Sequence, residues 1–513
     1  MTKTGKVAQS AAMIAIFTLI SKFLGFLREV LIASKYGSGF ETDTYFVAMT
    51  ATTILMTTLG ASLNTTLIPI FTEVEGKGGK KAKLKYLNNI LNMVFFITIL
   101  LALLGFFLSP LIIKILAKGF TGEQFELAVK LNRIGLPIVI FLGFTYVFSG
   151  YLHSSEIFGP PAIMGLPYNF VFLFFLIFLG DKGNIEGLML ASVVAASTQF
   201  LIQVPAIKYQ GYRFRVDINL RDPYLKRALV LVLPVMIGSA VQQINVVIDK
   251  TLASSLVEGS ISALTYASRL KDLVISVFIM AITTVVFPML SKAFSQEDNQ
   301  QVKRIMGQGI NIILIITVPA TIGMLVLAEP MVRIFFQRGA FDSTATIMTA
   351  RALIFYSLGL VGASLRLMLN RVFYSFQDTK TPMVNGALAV GLNIVLNLIF
   401  IRFMGHAGLA LATSISATFT TLLLFLSLRK KVGPIGLKKF LICFFKILFA
   451  STIMGIIVYF LYYGLTAKFI SSGMGELLIL LLSVVVGVLV YLILCSILRI
   501  KEIRLLIKGL INR

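Results

Sequence analysis

Gly187-Leu188-Met189-Leu190-Ala191-Ser192 returns as Gly408-Leu409-Ala410-Leu411-Ala412-Thr413, 221 residues further along the chain. Working outward from that pair, Pro160-Pro161 answers to Thr381-Pro382 at the same offset. Ile68-Pro69-Ile70-Phe71 answers to Phe287-Pro288-Met289-Leu290 at 219, and Leu31-Ile32-Ala33-Ser34 to Thr251-Leu252-Ala253-Ser254 at 220. Four short matches in one order, at nearly one offset, read as an internal duplication. Each copy holds six apolar stretches. Six is even, so both copies enter a membrane in the same direction and form parallel repeats, with a substrate site expected between them near mid-membrane. That is the plan of an alternating-access transporter.

Composition agrees. Of 513 residues 57% are hydrophobic and 13% charged, with a mean hydropathy of +0.92. A soluble domain carries about 25% charged residues, so that class is excluded. About 292 hydrophobic residues suffice for roughly fourteen crossings. Apolar stretches between charged or Gly/Pro-rich breaks fall near 7–34, 43–72, 86–113, 125–153, 160–180 and 185–207. A second set falls near 226–254, 260–291, 305–336, 344–376, 380–402 and 406–428, and a last pair near 440–463 and 474–498. The expected fold is an all-α polytopic membrane protein of about fourteen spans. Its domains are an N-terminal lobe over 1–215, a C-terminal lobe over 216–432, and two extra helices with a basic cytoplasmic tail over 433–513.

The net charge of +24 would point to nucleic acid in a soluble protein. Here the basic residues gather in short segments between apolar runs, such as Lys77–Lys85, the 208–227 loop and Arg429-Lys430-Lys431. With the N-terminus inside, the cytoplasmic segments hold 27 Lys and Arg against 7 on the other side. Basic loops stay in the cytoplasm, so both termini are expected there, in a multi-pass protein of the bacterial inner membrane. The first apolar stretch carries Lys22 and Arg28 and no small-residue cleavage site, so it reads as a retained helix. Cys443 and Cys495 lie in apolar runs and give neither a disulfide framework nor a metal site. No phosphate-binding loop, zinc motif or nucleophile elbow is visible, so no enzyme, metal or cofactor is expected. His153 and His406 read as interfacial.

Ionisable groups inside spans are costly and therefore functional candidates. In span one, Thr18, Ser21, Gly25 and Arg28 share one helical face, with Lys22 and Glu29 on the adjacent stripe. Span seven presents Ser239, Gln242, Asn245 and Asp249; span eight presents Ser262, Thr265, Arg269, Asp272 and Ser276. Span ten presents Arg366, Asn370, Tyr374 and Asp378, each four apart. Lys271 and Arg371 read as interfacial or structural. Lys22, Arg28, Glu29, Arg269 and Arg366 are the candidate substrate-binding residues, and Asp249, Asn370 and Asp378 the candidate cation-coupling residues. The lining is cationic on balance, and guanidinium groups pair well with phosphate oxygens, so an anionic cargo is implied.

Ser21-Lys22-Phe23-Leu24-Gly25-Phe26-Leu27-Arg28-Glu29, followed by Asp43-Thr44-Tyr45-Phe46-Val47-Ala48, resembles the opening of the MurJ (MviN) family. Leu264–Leu270, Phe335–Asp342, Phe373–Pro382 and His406–Thr413 resemble further motifs of that family, over about residues 7–432. The resemblance implies membership of the MOP exporter superfamily and a flippase for lipid II, the undecaprenyl-diphosphate-linked peptidoglycan precursor. It implies a basic pair on Lys22 and Arg28, an acid on Glu29 and an arginine on Arg269. It also implies two lobes and a lipid-tail groove formed by spans thirteen and fourteen. Span two departs from the family: Thr52-Thr53-Ile54-Leu55-Met56-Thr57-Thr58 stands where an arginine is usual. The expected partners are lipid II, membrane lipids and the cell-wall synthesis machinery, with Na⁺, H⁺ or the membrane potential as drive. The alternatives are a flippase for another polyprenyl-diphosphate-linked glycan, a multidrug antiporter, or a scaffold that transports nothing.

Overall fold

The computed structural model describes residues 3–180, 184–296, 298–469, 473–500 and 502–503, and every regular element among them is a helix. They form two compact units. The first comprises Met1–Ser262 with Arg338–Phe341, the second Ala263–Gln337 with Asp342–Arg513.

In the first unit α1 (Lys3–Tyr36) is span one, and α2 (Phe40–Leu116) carries spans two and three in a single run. The break inside α2 is Gly79, at φ 69°. A Cβ there would meet nothing within 4 Å, so glycine is required by the left-handed backbone and not by space. Span four is α3 (Gly122–Gly135) followed by α4 (Pro137–Ser154), with Pro137 in the first turn, where its missing N–H costs nothing. Span five is α5 (Gly159–Ile163), α6 (Gly165–Phe174) and a π turn over Phe175–Leu179. Span six is α7 (Ile185–Leu201) with α8 (Val204–Tyr209), and span seven is α9 (Pro223–Ala253).

The second unit takes up α10 (Ser260–Val274), a π turn over Ile275–Ile279, and α11 (Met280–Ser295) as span eight. Then comes α12 (Asn299–Phe336), non-helical at Leu327, where Pro330 removes a backbone donor and crowds the preceding turn. Span ten is α13 (Ser343–Leu358) and α14 (Leu360–Ser375), bent by 46°. The remaining helices are α15 (Lys380–Met404), α16 (His406–Val432), α17 (Leu437–Lys468) and α18 (Gly473–Ile497). Each expected span thus has a helix over it. By length and apolarity alone, ten described helices qualify as membrane spans, or up to eleven with the bent pair, so fourteen is an approximate count.

Loop contacts fix the alternation within the first unit. Asn88 and Asn92 each donate from Nδ2 to the Arg215 carbonyl at 2.8 Å, and Asn89 donates to that of Asn219 at 3.0 Å. Lys83 Nζ reaches Ser155 Oγ at 2.8 Å. Residues 83–92, 155 and 215–219 therefore share one side. On the other, the Ala340 N–H donates to Ser34 O at 2.8 Å, and the Asp43 carboxylate accepts from the Gly259 N–H at 2.8 Å and from the Ser262 N–H and hydroxyl.

The compact units do not follow the lobes expected at 1–215 and 216–432. Span seven packs in the first unit because α9 is fastened to α2 at both ends. Arg227 pairs with Glu73 at 2.6 Å near one end; at the other, the Thr251 hydroxyl donates to Ile115 O at 2.7 Å and the Gly119 N–H to Ser254 Oγ at 3.1 Å. The extra pair α17 and α18 packs in the second unit. Tyr491 donates to Ile315 O of α12 at 2.9 Å, and Gly455 sits so close to α12 that a Cβ would lie 2.5 Å from Ile322. Such small-residue approaches are how helices bind each other in lipid.

Candidate substrate-binding site

The best-built polar cluster lies in the first unit, around Arg28. It starts with a glycine: a Cβ on Gly165 would fall 2.1 Å from Ser21 Oγ, so any larger residue there would have to displace the Ser21 side chain. One turn further, Asn169 donates from Nδ2 to the carbonyls of Gly165 (2.8 Å) and Ser21 (3.0 Å), and its Oδ1 accepts from Arg28 Nη1 at 3.2 Å. Arg28 Nη2 pairs with Glu29 Oε1 at 2.7 Å, with the two side chains 16% and 4% exposed. The guanidinium also lies 5.0 Å from the Phe172 ring centroid and 5.5 Å from that of Tyr168. Arg28 is therefore a held cation, oriented by an acid, an amide and two rings, with further N–H donors to spare.

Lys22 lies six residues earlier on α1, about 9 Å along the helix axis. Its side chain is exposed and makes no ion pair or hydrogen bond among the described residues. On α9, Asn245 Nδ2 donates to Asp249 Oδ2 at 3.2 Å. The side chains of Ser239 and Gln242 lie outside the described residues.

In the second unit Arg269 is exposed on α10. Asp272 accepts from the Ser268 hydroxyl at 3.3 Å and faces Lys271 Nζ at 3.4 Å. Lys271 lies over the Tyr356 ring at 4.9 Å and Arg371 over Phe287 at 5.5 Å. Arg366, on α14, is half-buried and has no ion pair or hydrogen bond among the described residues; Asn370, one turn on, is likewise half-buried. Asp378 sits in the turn before α15. It accepts from the Thr381 N–H at 3.0 Å and hydroxyl at 2.9 Å, and from Lys431 Nζ at 2.7 Å. Chiefly the Lys431 bond, with those of Thr381, holds its carboxyl down at about 2. Its geometry is that of a turn and an ion pair. His406 Nε2 lies 2.9 Å from Met348 O, and His153 packs beside Phe158.

Sequence reasoning did not find Asn169, Tyr168 or Phe172. The available signal was a single amide in the apolar run Gly165-Leu166-Pro167-Tyr168-Asn169-Phe170-Val171-Phe172. It also read Lys83 as one orientation charge among several. In the structure Lys83 is fully buried, pairs with Glu75 at 2.6 Å and lies 5.0 Å from the Tyr151 ring.

The helical fold is shared with a solved inward-facing multidrug resistance MATE family transporter of the MOP superfamily, which superposes with a TM-score of 0.69 at 15% identity, over 82% of this chain and 98% of the other. Residues 32–494 match the lipid II flippase MurJ family, and the chain belongs to that family. It is 31% identical to the lipid II flippase MurJ of Burkholderia cenocepacia over 81% of this chain and 82% of that one. It is 30% identical to the probable lipid II flippase MurJ of Vibrio cholerae over 83% of each. A solved lipid II flippase MurJ in an inward closed conformation superposes with a TM-score of 0.80 at 28% identity, over 95% of this chain and 99% of the other.

Proposed function

We propose that this chain moves lipid II from the inner to the outer leaflet of the bacterial cytoplasmic membrane by alternating access, with its embedded cations taking the diphosphate. Family membership supports the cargo. The observation that carries the residue assignment is the contrast among those cations. Arg28 is held by Glu29, Asn169 and two rings, whereas Lys22 and Arg366 have no ion pair among the described residues. A diphosphate carries more charge than the Arg28–Glu29 pair leaves over. In the first unit Arg28 offers a preset fork of donors for phosphate oxygens and Lys22 an uncompensated charge; in the second unit Arg366 is the uncompensated charge and Arg269 an exposed guanidinium.

An inside-negative potential favours outward movement of an anion by about 2.3 kcal/mol per charge per 100 mV. Coupling to Na⁺ or H⁺ would rest on Asp249 and Asn370, because Asp378 is committed to Thr381 and Lys431. The excess of basic residues in one set of loops supports cytoplasmic termini.

The decisive experiment is translocation of purified lipid II in proteoliposomes with and without an imposed potential, beside a sugar-only undecaprenyl-diphosphate lipid. Faster movement of lipid II, lost on Lys22→Gln or Arg366→Gln in folded protein, is expected. Preference for the sugar-only lipid would replace the cargo, and unchanged transport in both variants would remove the residue assignment.

A further inference from the structure

The second unit contains a cavity of about 870 Å³ lined by the first turns of α12, the linker between α16 and α17, and the residues after α18. Lys303 and Arg304 enter it from α12, Lys439 and Lys446 from α17, and Arg499 from beyond α18. Glu502 is the acid among its lining residues. The three segments meet there only if an even number of crossings separates them. The bent pair α13 and α14 must then count as one.

Five cations in one concavity repel each other, and the chain holds them together at a conformational cost. Arg499 sits at φ 57°, a left-handed backbone that non-glycine residues seldom adopt. Gly433 and Gly436 fold the linker with φ of 74° and 73°, and a Cβ on either would meet nothing within 4 Å. The glycines are there for backbone shape. Glu502 can offset only one of the five charges, and its Oε1 accepts from Asn311 Nδ2 at 2.6 Å. Lys446 Nζ donates to the Leu498 carbonyl at 3.0 Å, satisfying the end of α18. None of the five cations makes an ion pair among the described residues.

The cavity is not purely polar. Ile435 and Ile500 are buried in its wall, and Ile442, also in the wall, is 49% exposed on its outer side. From Ile442 an apolar stripe runs along α17 through Phe445 and Phe449, 61% and 58% exposed. An occupant with an anionic head and long apolar chains fits both parts. A free anion would use only the first.

We propose that this cavity binds the phosphate headgroup of an anionic glycerophospholipid, with its acyl chains along α17, apart from the cations assigned above to the diphosphate. Arg304 and Arg499 supply planar forks for phosphate oxygens, and the three lysines supply point charges around them. The proposal does not depend on the identity of the cargo.

The test is intact-protein mass spectrometry of the full chain, released from micelles containing phosphatidylglycerol or phosphatidylcholine. The wild type should retain phosphatidylglycerol about tenfold better, and the Arg304→Gln/Lys439→Gln double variant should lose that preference. Arg304→Lys/Lys439→Arg, which keeps both charges, should keep it and so separates charge from misfolding. Equal retention of the two lipids, or unchanged preference in the glutamine variant, overturns the site. Displacement by inorganic phosphate makes it a free-anion site, and displacement by undecaprenyl diphosphate returns it to the cargo. Either result overturns the proposal as well.

Discussion

Arg28 and Arg366 are both arginines within apolar helices, and the fold treats them in opposite ways. Arg28 has an adjacent acid, an amide from α6 and two aromatic faces. Arg366 has no ion pair or hydrogen bond among the described residues. A charge buried in low dielectric needs a partner, so Arg28 is built into the protein, whereas the function proposed above gives Arg366 its partner in the cargo. One arginine is a fixture of the fold; the other has no such support among the described residues.

Breaking the fixture should have the largest effect. Glu29→Gln leaves Arg28 without its counter-charge and should cost about 3–5 kcal/mol of stability, read by thermal unfolding in detergent. A change below about 1 kcal/mol would show that Arg28 has other means of support and would dissolve the contrast. Asn169→Leu should come next, at about 1–3 kcal/mol, because the Ser21 carbonyl and Arg28 each lose a bond. It should also lower lipid II transport by releasing the guanidinium from its orientation. Transport unchanged in a destabilised Asn169→Leu protein would make the amide purely structural.

Arg366→Gln is the mirror experiment. Removing an uncompensated charge should leave stability within about 1 kcal/mol of the wild type, or raise it, while transport falls about tenfold. A large loss of stability would mean that Arg366 is as embedded as Arg28. The smallest effect is expected at Asp378, outside the spans. Its carboxyl is held at about 2, so the Lys431 pair contributes above the ordinary carboxylate range and fades as pH falls through that range toward 2. The pair is partly exposed, so the difference between wild type and Asp378→Asn should stay under about 1 kcal/mol near neutrality and vanish in acid.

Much of this was readable from residues alone. The spans follow from hydropathy, which is a local property, and the structure covers each expected span with a helix. The candidate cations were also legible, because any ionisable residue inside a span stands out. Their partners were not. Asn169 meets Arg28 across 141 positions in sequence, where Gly165 packs closely against Ser21. Lys83 looked like one of a run of loop lysines, and only packing against Tyr151, Glu75 and Ser155 reveals it as a sealed charge. Partnership is a tertiary property, and a single sequence carries little trace of it.

The attachment of α9 separates sequence repeat from assembly. In the repeat read from the sequence, span seven opens the second copy; by packing, it closes the first unit, pinned at Glu73, Ile115 and Gly119. The boundary of the repeat is therefore not the boundary of the compact unit. A gene split near residue 215 would part span seven from the helices it packs with, whereas a split just before α10 would leave them together.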